Sequence, residues 1–476
     1  MSSRIPRQPT HGPASRSGRC DDGTRTGVGE PAGRSDDTHE GVGAYVKTTP
    51  YQLATILFCV AVNALDGYDV FIMGYALPYL PAELASPVDK GYLLSSALVG
   101  LGVGAMFLAR FADIYGRRPV FIAGLLLNTA GLLGSALAPN FGVLLTSRFF
   151  TGLAVGVIGT VCIVTCQEMA PASKRSMAVG MVMFGYPVGS FVAGTFGTAV
   201  LGLFGGAWQG FFWLGTLLSG LLLVVCIVFM PESVMFLQKK PDAASQEKYR
   251  ALAGRMHLEE EPARAPSEAT GSEKVRLLGR RYRAQTLYLW TGYTFLTAAF
   301  YFIGSWTPQL ISNASGDKGA GALAGVMVSV GTMAGALLFG YLGLRRPAAF
   351  LSWVSVAIAM VALVGFALVL QGFFALGMAV VMSAGLFVAL SAYAGASGTV
   401  YPAAGRASGY GTMLGMGRVG AIVAPIIGGY VVTLVSPNAM FLGVLIPMGL
   451  AVVCSMLLQR SMRVANDTRD VEAANA

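Results

Sequence analysis

Two carboxylates stand in an otherwise apolar run, Asn63-Ala-Leu-Asp66-Gly67-Tyr68-Asp69, which continues through Val-Phe-Ile-Met-Gly-Tyr75-Ala-Leu to Pro78. The run is long enough to cross a bilayer, where a charge near the centre costs roughly 2.5–3.5 kcal/mol on insertion scales. An acid kept at that depth has a use that offsets the cost, either exchanging a proton or holding a cation. Two arginines lie at comparable depth. Arg148 opens Arg148-Phe-Phe-Thr-Gly152, about two turns inside its own apolar run, and Arg418 lies about three turns inside the run that follows Tyr401. A buried guanidinium needs an anion. For Arg148 the available membrane anions are Asp66 and Asp69; the competing reading is a side chain that snorkels to the surface. For Arg418 the second half of the chain offers no intramembrane carboxylate. It is therefore expected to receive an anionic ligand, the alternative being backbone carbonyls of a neighbouring helix.

The elements that carry these side chains follow from composition. Of 476 residues 54% are hydrophobic and 12% charged, about half the charge of an average soluble domain. Apolar segments recur at roughly the ~20 residues a helix needs to span hydrocarbon: 51–80, 91–110, 119–137, 141–166, 176–200, 209–230, 284–310, 320–343, 348–369, 373–399, 407–434 and 438–458. Lys and Arg mark the cytoplasmic connections. Arg110, Arg117, Arg118, Lys174, Arg175, Arg345, Arg346, Arg460 and Arg463 all fall on one side, and only Lys90 and Lys318 on the other. Both termini are thus expected in the cytoplasm. The expected organisation is a disordered arm (1–46), a six-helix bundle (47–230), a charged cytoplasmic linker (231–283), a second six-helix bundle (284–458) and a tail (459–476).

The two groups of six read as copies. Gly74-Tyr-Ala-Leu-Pro78-Tyr-Leu80 aligns with Gly304-Ser-Trp-Thr-Pro308-Gln-Leu310 at an offset of 230, and Gly116-Arg-Arg-Pro119 with Leu344-Arg-Arg-Pro347 at 228. Arg175, Gly180 and Gly189 align with Arg406, Gly411 and Gly420 at 231. Parallel six-span repeats around a site near the midplane are the architecture of major facilitator carriers. At the end of the second span, Gly104 to Pro119 resembles the major facilitator loop signature, with Ile114 where that family usually has Arg. Gly116 allows a tight turn, and Asp113 can pair with a neighbouring helix end to close a cytoplasmic gate. Arg117 and Arg118 belong to that gate or merely fix topology. Glu168 and Glu232 stand at helix ends where they clasp Arg117, Arg118, Arg175 or Arg406, or are solvated.

Taken together, Asp66-Gly-Tyr-Asp69, Arg148-Phe-Phe-Thr-Gly with Glu168, Pro231-Glu-Ser with Phe236-Leu237, Tyr301 to Pro308, and Arg406 to Gly420 resemble the aromatic acid/proton symporter family of the major facilitator superfamily, over roughly 51–458. The resemblance implies an all-α membrane protein of twelve transmembrane helices in two pseudo-symmetric six-helix bundles. It further implies proton-coupled uptake of a benzoate-like carboxylate in the plasma (inner) membrane. In that scheme Asp66, Asp69 and Arg148 couple the proton, Asp69 being the favoured carrier. Arg418 binds the carboxylate, with the ring against Tyr75, Trp306, Phe387 or Tyr393. No cofactor beyond the proton, no nucleic acid and no partner subunit is expected.

Other classes fit less well. A sugar or polyol porter of the same fold needs many amides in its spans, which hold few, and a metabolite or drug exporter fits poorly with a buried arginine in each half. An enzyme finds no nucleophile–base grouping, since His11, His39 and His257 all lie outside the spans. Cys162 and Cys166 lack further ligands for a metal.

Overall fold

The computed structural model describes residues 49–170, 174–239, 242–255, 276–280 and 282–474. The expected arm, His257 and most of the linker's second half lie outside these. The elements among the described residues are helices: α1 (Pro50–Ala76), α2 (Pro87–Val103), α3 (Phe111–Tyr115), α4 (Arg117–Ala136), α5 (Phe141–Met169), α6 (Arg175–Leu201), α7 (Gln209–Phe229), α8 (Val234–Lys239), α9 (Ala243–Arg255), α10 (Arg283–Ser315), α11 (Lys318–Leu342), α12 (Ala348–Val369), α13 (Gly372–Val400), α14 (Ala403–Val431), α15 (Pro437–Gly443) and α16 (Leu445–Ala474). The twelve spans are α1, α2, α4, α5, α6, α7, α10, α11, α12, α13, α14 and the α15–α16 pair. Local chemistry sets the starts: Thr49 with Gln52 and Ser86 with Asp89 form capping boxes, each followed by Pro at the first helical position.

Eleven helices among the described residues are long and apolar enough to cross a membrane. The exception, α10, has 33 residues but carries Thr, Tyr, Gln and Trp along its length. Its polarity reflects its place at the centre of the molecule, against α1, α14 and α16. The linker contains two helices, α8 and α9, and α16 runs on to Ala474, so the expected tail is largely a helical extension. The second span ends in a π-helical turn, Gly104–Leu108, leading into α3.

Glycines decide which helices touch. A Cβ at Gly189 would stand 1.7 Å from the Ala64 carbonyl oxygen, and one at Gly67 1.8 Å from that of Tyr186, so α1 and α6 meet backbone to backbone. Gly67 therefore acts through close approach and does not loosen α1, which stays helical across it. Gly152 and Gly156 bring α5 equally close to Ala97 and Leu101 of α2, as the small-residue spacing predicts. The second half repeats the arrangement: Gly420, the counterpart of Gly189, abuts the carbonyl of Thr294, the counterpart of Ala64. Gly74 faces Ser305 while its counterpart Gly304 faces Phe71, so the duplicated motifs pack on each other across the axis relating the halves.

A contrast in tolerance follows. Gly189→Ala and Gly420→Ala are expected to prevent stable folding, because a methyl group meets backbone that cannot move aside. Gly180→Ala and Gly411→Ala meet no atom within 4 Å, and are expected to be neutral or to gain up to about 1 kcal/mol of helix propensity. Melting temperatures of the purified variants in detergent would check this.

The halves are joined toward the end opposite the arginines. There Ser95 Oγ donates to the Ile422 carbonyl (2.7 Å), Tyr92 and Tyr430 share a hydrogen bond (2.7 Å), and Lys90 Nζ donates to Gln309 (3.2 Å). A hydroxyl relay, Tyr75–Ser329 (3.2 Å) and Ser190–Ser329 (2.7 Å), closes the middle of this seam. Toward the arginine-rich end the helices part, and Gly180, Gly340, Gly411 and Gly415 have nothing within 4 Å of a would-be Cβ.

Candidate functional site

Asp69 is 2% exposed and Arg148 is fully buried. Arg148 Nη1 donates to Asp69 Oδ1 at 2.9 Å, and Nη2 donates to the main-chain carbonyl of the same residue. The guanidinium also lies 5.7 Å from the Phe212 ring centroid. Asn128, Thr129 and Ser219 form a polar group nearby, with the Asn128 amide donating to Ser219 at 3.3 Å and Thr129 sharing a 2.8 Å bond with it. The pair expected from the sequence is thus made by Asp69, and the snorkelling alternative for Arg148 is excluded. Breaking such a pair leaves one uncompensated charge in a dry interior.

Asp66 does not join this pair. It projects toward Gly159 of α5, where a Cβ would lie 3.2 Å from Oδ2, and its Oδ1 is buried with no hydrogen-bond partner among the described residues. It lies five residues before Phe71, whose ring stacks on Tyr301 of the other half.

Arg418 is half-buried on α14, one turn from the seam residue Ile422. Its Nη1 donates to the Tyr301 hydroxyl (3.2 Å), which also accepts from Tyr186 across the interface (3.2 Å). Having accepted twice, the Tyr301 O–H retains one proton to donate. Tyr186, Tyr293, Tyr301, Tyr410 and Asp66 are the groups whose charge or dipole reaches Arg418. No carboxylate lies within ion-pair distance of it among the described residues. Beside it, Phe71 stacks on Tyr301 (centroids 6.2 Å apart, 16° between planes), Tyr186 meets Phe71 edge-on at 5.8 Å, and Phe300 bridges Tyr301 (5.5 Å) and Phe387 (6.2 Å).

Of the aromatics expected around the ligand, Phe387 belongs to this wall and the other three do not. Tyr393 turns away, bonding Ser455 (2.6 Å) and the Ala451 carbonyl (3.1 Å) of α16. Trp306 is fully buried and donates to the Pro425 carbonyl at 3.2 Å. Tyr75 is committed to the closed seam through Ser329. Each is a large amphipathic ring whose polar tip found a partner within the protein. Tyr186 and Tyr301 instead lie beside Arg418 and Phe71. A mid-span hydroxyl between Gly185 and Pro187, on the helix whose glycines dock on α1, was the available signal for Tyr186.

At the arginine-rich end, Arg117 Nη1 pairs with Asp113 (2.7 Å) and Nη2 with Glu168 (2.9 Å), which also accepts from Ser233 Oγ. Glu232 Oε1 accepts the main-chain N–H groups of Arg117 (2.6 Å), Arg118 (3.3 Å) and Ser233 (2.9 Å). It thereby supplies the anion at the N-terminus of α4, which lacks a side-chain cap of its own. Gly116 has φ +106°, and a Cβ there would meet Glu232 Oε2 at 2.4 Å, so both turn and cap require glycine. Arg118 donates to the Ile227 carbonyl at 2.8 Å. Arg175 and Arg406 are exposed and make no bond to Glu168 or Glu232 among the described residues. The clasp expected for these two arginines is therefore not formed, and the cluster joins the first bundle to the start of the linker. No group of three or more His, Cys, Asp or Glu among the described residues is placed to hold a metal.

Tyr301→Phe isolates the bridging hydroxyl. It keeps the Phe71 stack but leaves Arg418 Nη1 and Tyr186 without their acceptor. A hydrogen bond to a charged group contributes about 1.5–3 kcal/mol, so ligand affinity is expected to fall roughly ten- to a hundredfold. Radioligand binding, with melting temperature as a control for folding, measures it.

The pattern of the Major Facilitator Superfamily matches residues 59–416. The chain is 30% identical over 408 residues to a 4-hydroxybenzoate transporter of Pseudomonas aeruginosa, covering 80% of this chain and 86% of that one. It is 29% identical over 397 residues to a gallate transporter of Pseudomonas putida, covering 81% and 86%. In three dimensions it is similar to the xylose transporter of E. coli in a partially occluded inward-open conformation, with a TM-score of 0.65 at 16% identity, covering 86% of this chain and 97% of that one. With two six-helix halves joined at one end and parted at the other, this chain belongs to the major facilitator superfamily, within its aromatic acid/proton symporter family.

Proposed function

We propose that the chain is a secondary active carrier that takes up a small aromatic carboxylate together with a proton by alternating access. The observation that carries this reading is Arg418: a half-buried cation at the parting of the halves, without a paired acid, beside a free Tyr301 proton and a wall of Phe71, Tyr186, Phe300 and Phe387. A planar carboxylate accepts from a guanidinium fork and a hydroxyl at once, and the ring attached to it stacks on such a wall. The substrates in the names of the sequence relatives, 4-hydroxybenzoate and gallate, have this shape.

The arginine-rich end is assigned to the cytoplasm by the charge bias of its connections, which puts both termini there and makes the present state inward-facing. Residence in the inner membrane and function as a monomer belong to the same proposal. Asp69 with Arg148 forms the proton-coupled pair. Protonation of Asp69 from outside weakens its hold on Arg148. Asp113, Gly116, Arg117, Arg118, Glu168 and Glu232 hold the inner loop, with Arg175 and Arg406 at the cytoplasmic mouth. One proton with one monoanion makes the cycle electroneutral. Proteoliposomes given an inward proton gradient and labelled benzoate, 4-hydroxybenzoate, gallate, an aliphatic acid or a hexose test the reading. Accumulation of the aromatic acids is expected, and hexose uptake without acid uptake refutes it.

A further inference from the structure

We infer that two lysines, Lys90 on Gln309 and Lys318 on Tyr79, form a duplicated latch that holds the extracellular gate shut in this state and must release for the carrier to turn outward. This rests on the proposed orientation, which puts the arginine-rich end in the cytoplasm, and adds the residues that close the opposite end. Lys90, in the first turn of α2 in the first half, donates through Nζ to Gln309 Oε1 of α10 in the second half, at 3.2 Å. Lys318 starts α11 of the second half, and its ammonium lies 5.0 Å from the ring centroid of Tyr79, in the turn that follows α1 of the first half. The two contacts are one contact made twice. Asp89-Lys90-Gly91 aligns with Asp317-Lys318-Gly319 at an offset of 228, and Tyr79 with Gln309 at 230. Each half therefore offers its lysine to the same position of the other. The other bonds at this end, from Tyr92 and Ser95, have no such copy, because Ala320 and Leu323 stand at the aligned positions.

The surroundings aim both lysines across the seam. Asp89 Oδ2 accepts from the Ser86 main-chain N–H (3.0 Å) and hydroxyl (2.7 Å), and Asp317 Oδ1 accepts from the Gly319 N–H (2.8 Å), so each acid serves the start of its own helix. Neither lysine has a carboxylate within ion-pair distance among the described residues. Gly91 brings the start of α2 against α14, where a Cβ would stand 2.8 Å from the Pro425 carbonyl oxygen. Gln309 is steered by its own amide, which donates to Asn313 Oδ1 at 2.7 Å and leaves Oε1 for Lys90. The partners are thus an amide and an aromatic face, both neutral. A cation is held more weakly by a neutral acceptor or ring than by a carboxylate, which suits a contact that breaks and re-forms in every cycle. Since each contact joins opposite halves, parting the halves at this end breaks both together.

The test reads how often the outer end opens. Ser329→Cys places a thiol in the middle of the closed seam. Its labelling by a membrane-impermeant maleimide added outside right-side-out vesicles, counted above that of the chain without this thiol, tracks the open population. In this background Lys90→Met and Lys318→Met are each expected to raise the labelling rate about threefold or more. The double variant is expected to raise it by roughly the product of the two, the contacts sharing no partner. Gln309→Glu gives Lys90 a carboxylate and is expected to slow labelling about threefold, an effect that Lys90→Met removes. Melting temperatures near that of the background protein confirm folding, and damage to the fold would not slow labelling as Gln309→Glu does. Lysine variants labelled at the background rate overturn the inference, as does Gln309→Glu labelled as fast as its background or faster. A response seen only with maleimide on the cytoplasmic side overturns the orientation, and the inference with it. Labelling needs no substrate, so if wild type carries no aromatic acid while the lysine variants respond as expected, the proposed function fails and the latch stands.

Discussion

Arg418→Gln is expected to abolish uptake of aromatic acids while leaving the protein folded. Arg418 is half-buried and donates to Tyr301, so little packing is lost. What is lost is the charged half of the carboxylate contact. Removing one partner of a buried, hydrogen-bonded charge pair costs about 2–5 kcal/mol, or between roughly thirty and a few thousandfold in affinity. Arg418→Lys is expected to recover only a small part, since an ammonium does not reproduce the planar fork. Substrate-induced shifts in melting temperature, beside counterflow rates, measure the loss; an Arg418→Gln protein that binds benzoate as tightly as wild type contradicts the assignment.

Arg148→Leu has the second large effect, on stability as well as transport. Asp69 is left in an interior where Arg148 had supplied both a side-chain and a main-chain bond. Breaking a buried pair from one side costs about 3–5 kcal/mol, a large fraction of the 5–15 kcal/mol by which a typical native fold is stable. The double variant Arg148→Leu with Asp69→Asn leaves no lone charge, and is expected to regain most of the melting temperature without regaining proton-driven accumulation. Stability and coupling then separate cleanly. A double variant as unstable as the single one, or one that still accumulates substrate against its gradient, contradicts the role given to the pair.

The sequence carried the architecture because a bilayer leaves few choices. Length, hydropathy and the placement of arginines marked the spans, and the 230-residue offset between Gly74 and Gly304 is realised as packing of the two copies on one another. The Asp69–Arg148 pair was legible because a charge in hydrocarbon must find its opposite. The aromatic assignments were not. Tyr75, Trp306 and Tyr393 are amphipathic aromatics as Tyr186 and Tyr301 are, and which face of a span looks into the seam depends on helix rotation and on the state of the carrier. Spacing alone does not give either. The division of labour between Asp66 and Asp69 was hidden for a similar reason. Three residues apart, they share a helical face broadly, yet Asp69 meets Arg148 of α5 while Asp66 points toward Gly159 of α5 without a hydrogen-bond partner among the described residues. The clasp to Arg175 and Arg406 is not formed among the described residues, where both arginines are exposed.

The central claim is that one proton and one aromatic carboxylate cross together through the Arg418 seam. Proteoliposomes loaded with a pH-sensitive dye measure it most directly, with labelled 4-hydroxybenzoate added outside and the membrane potential set by potassium and valinomycin. Above the background of protein-free liposomes, entry of the acid is expected to acidify the lumen in step with uptake, at a rate insensitive to the imposed potential. Uptake that follows the potential, or that leaves the luminal pH unchanged, would contradict it.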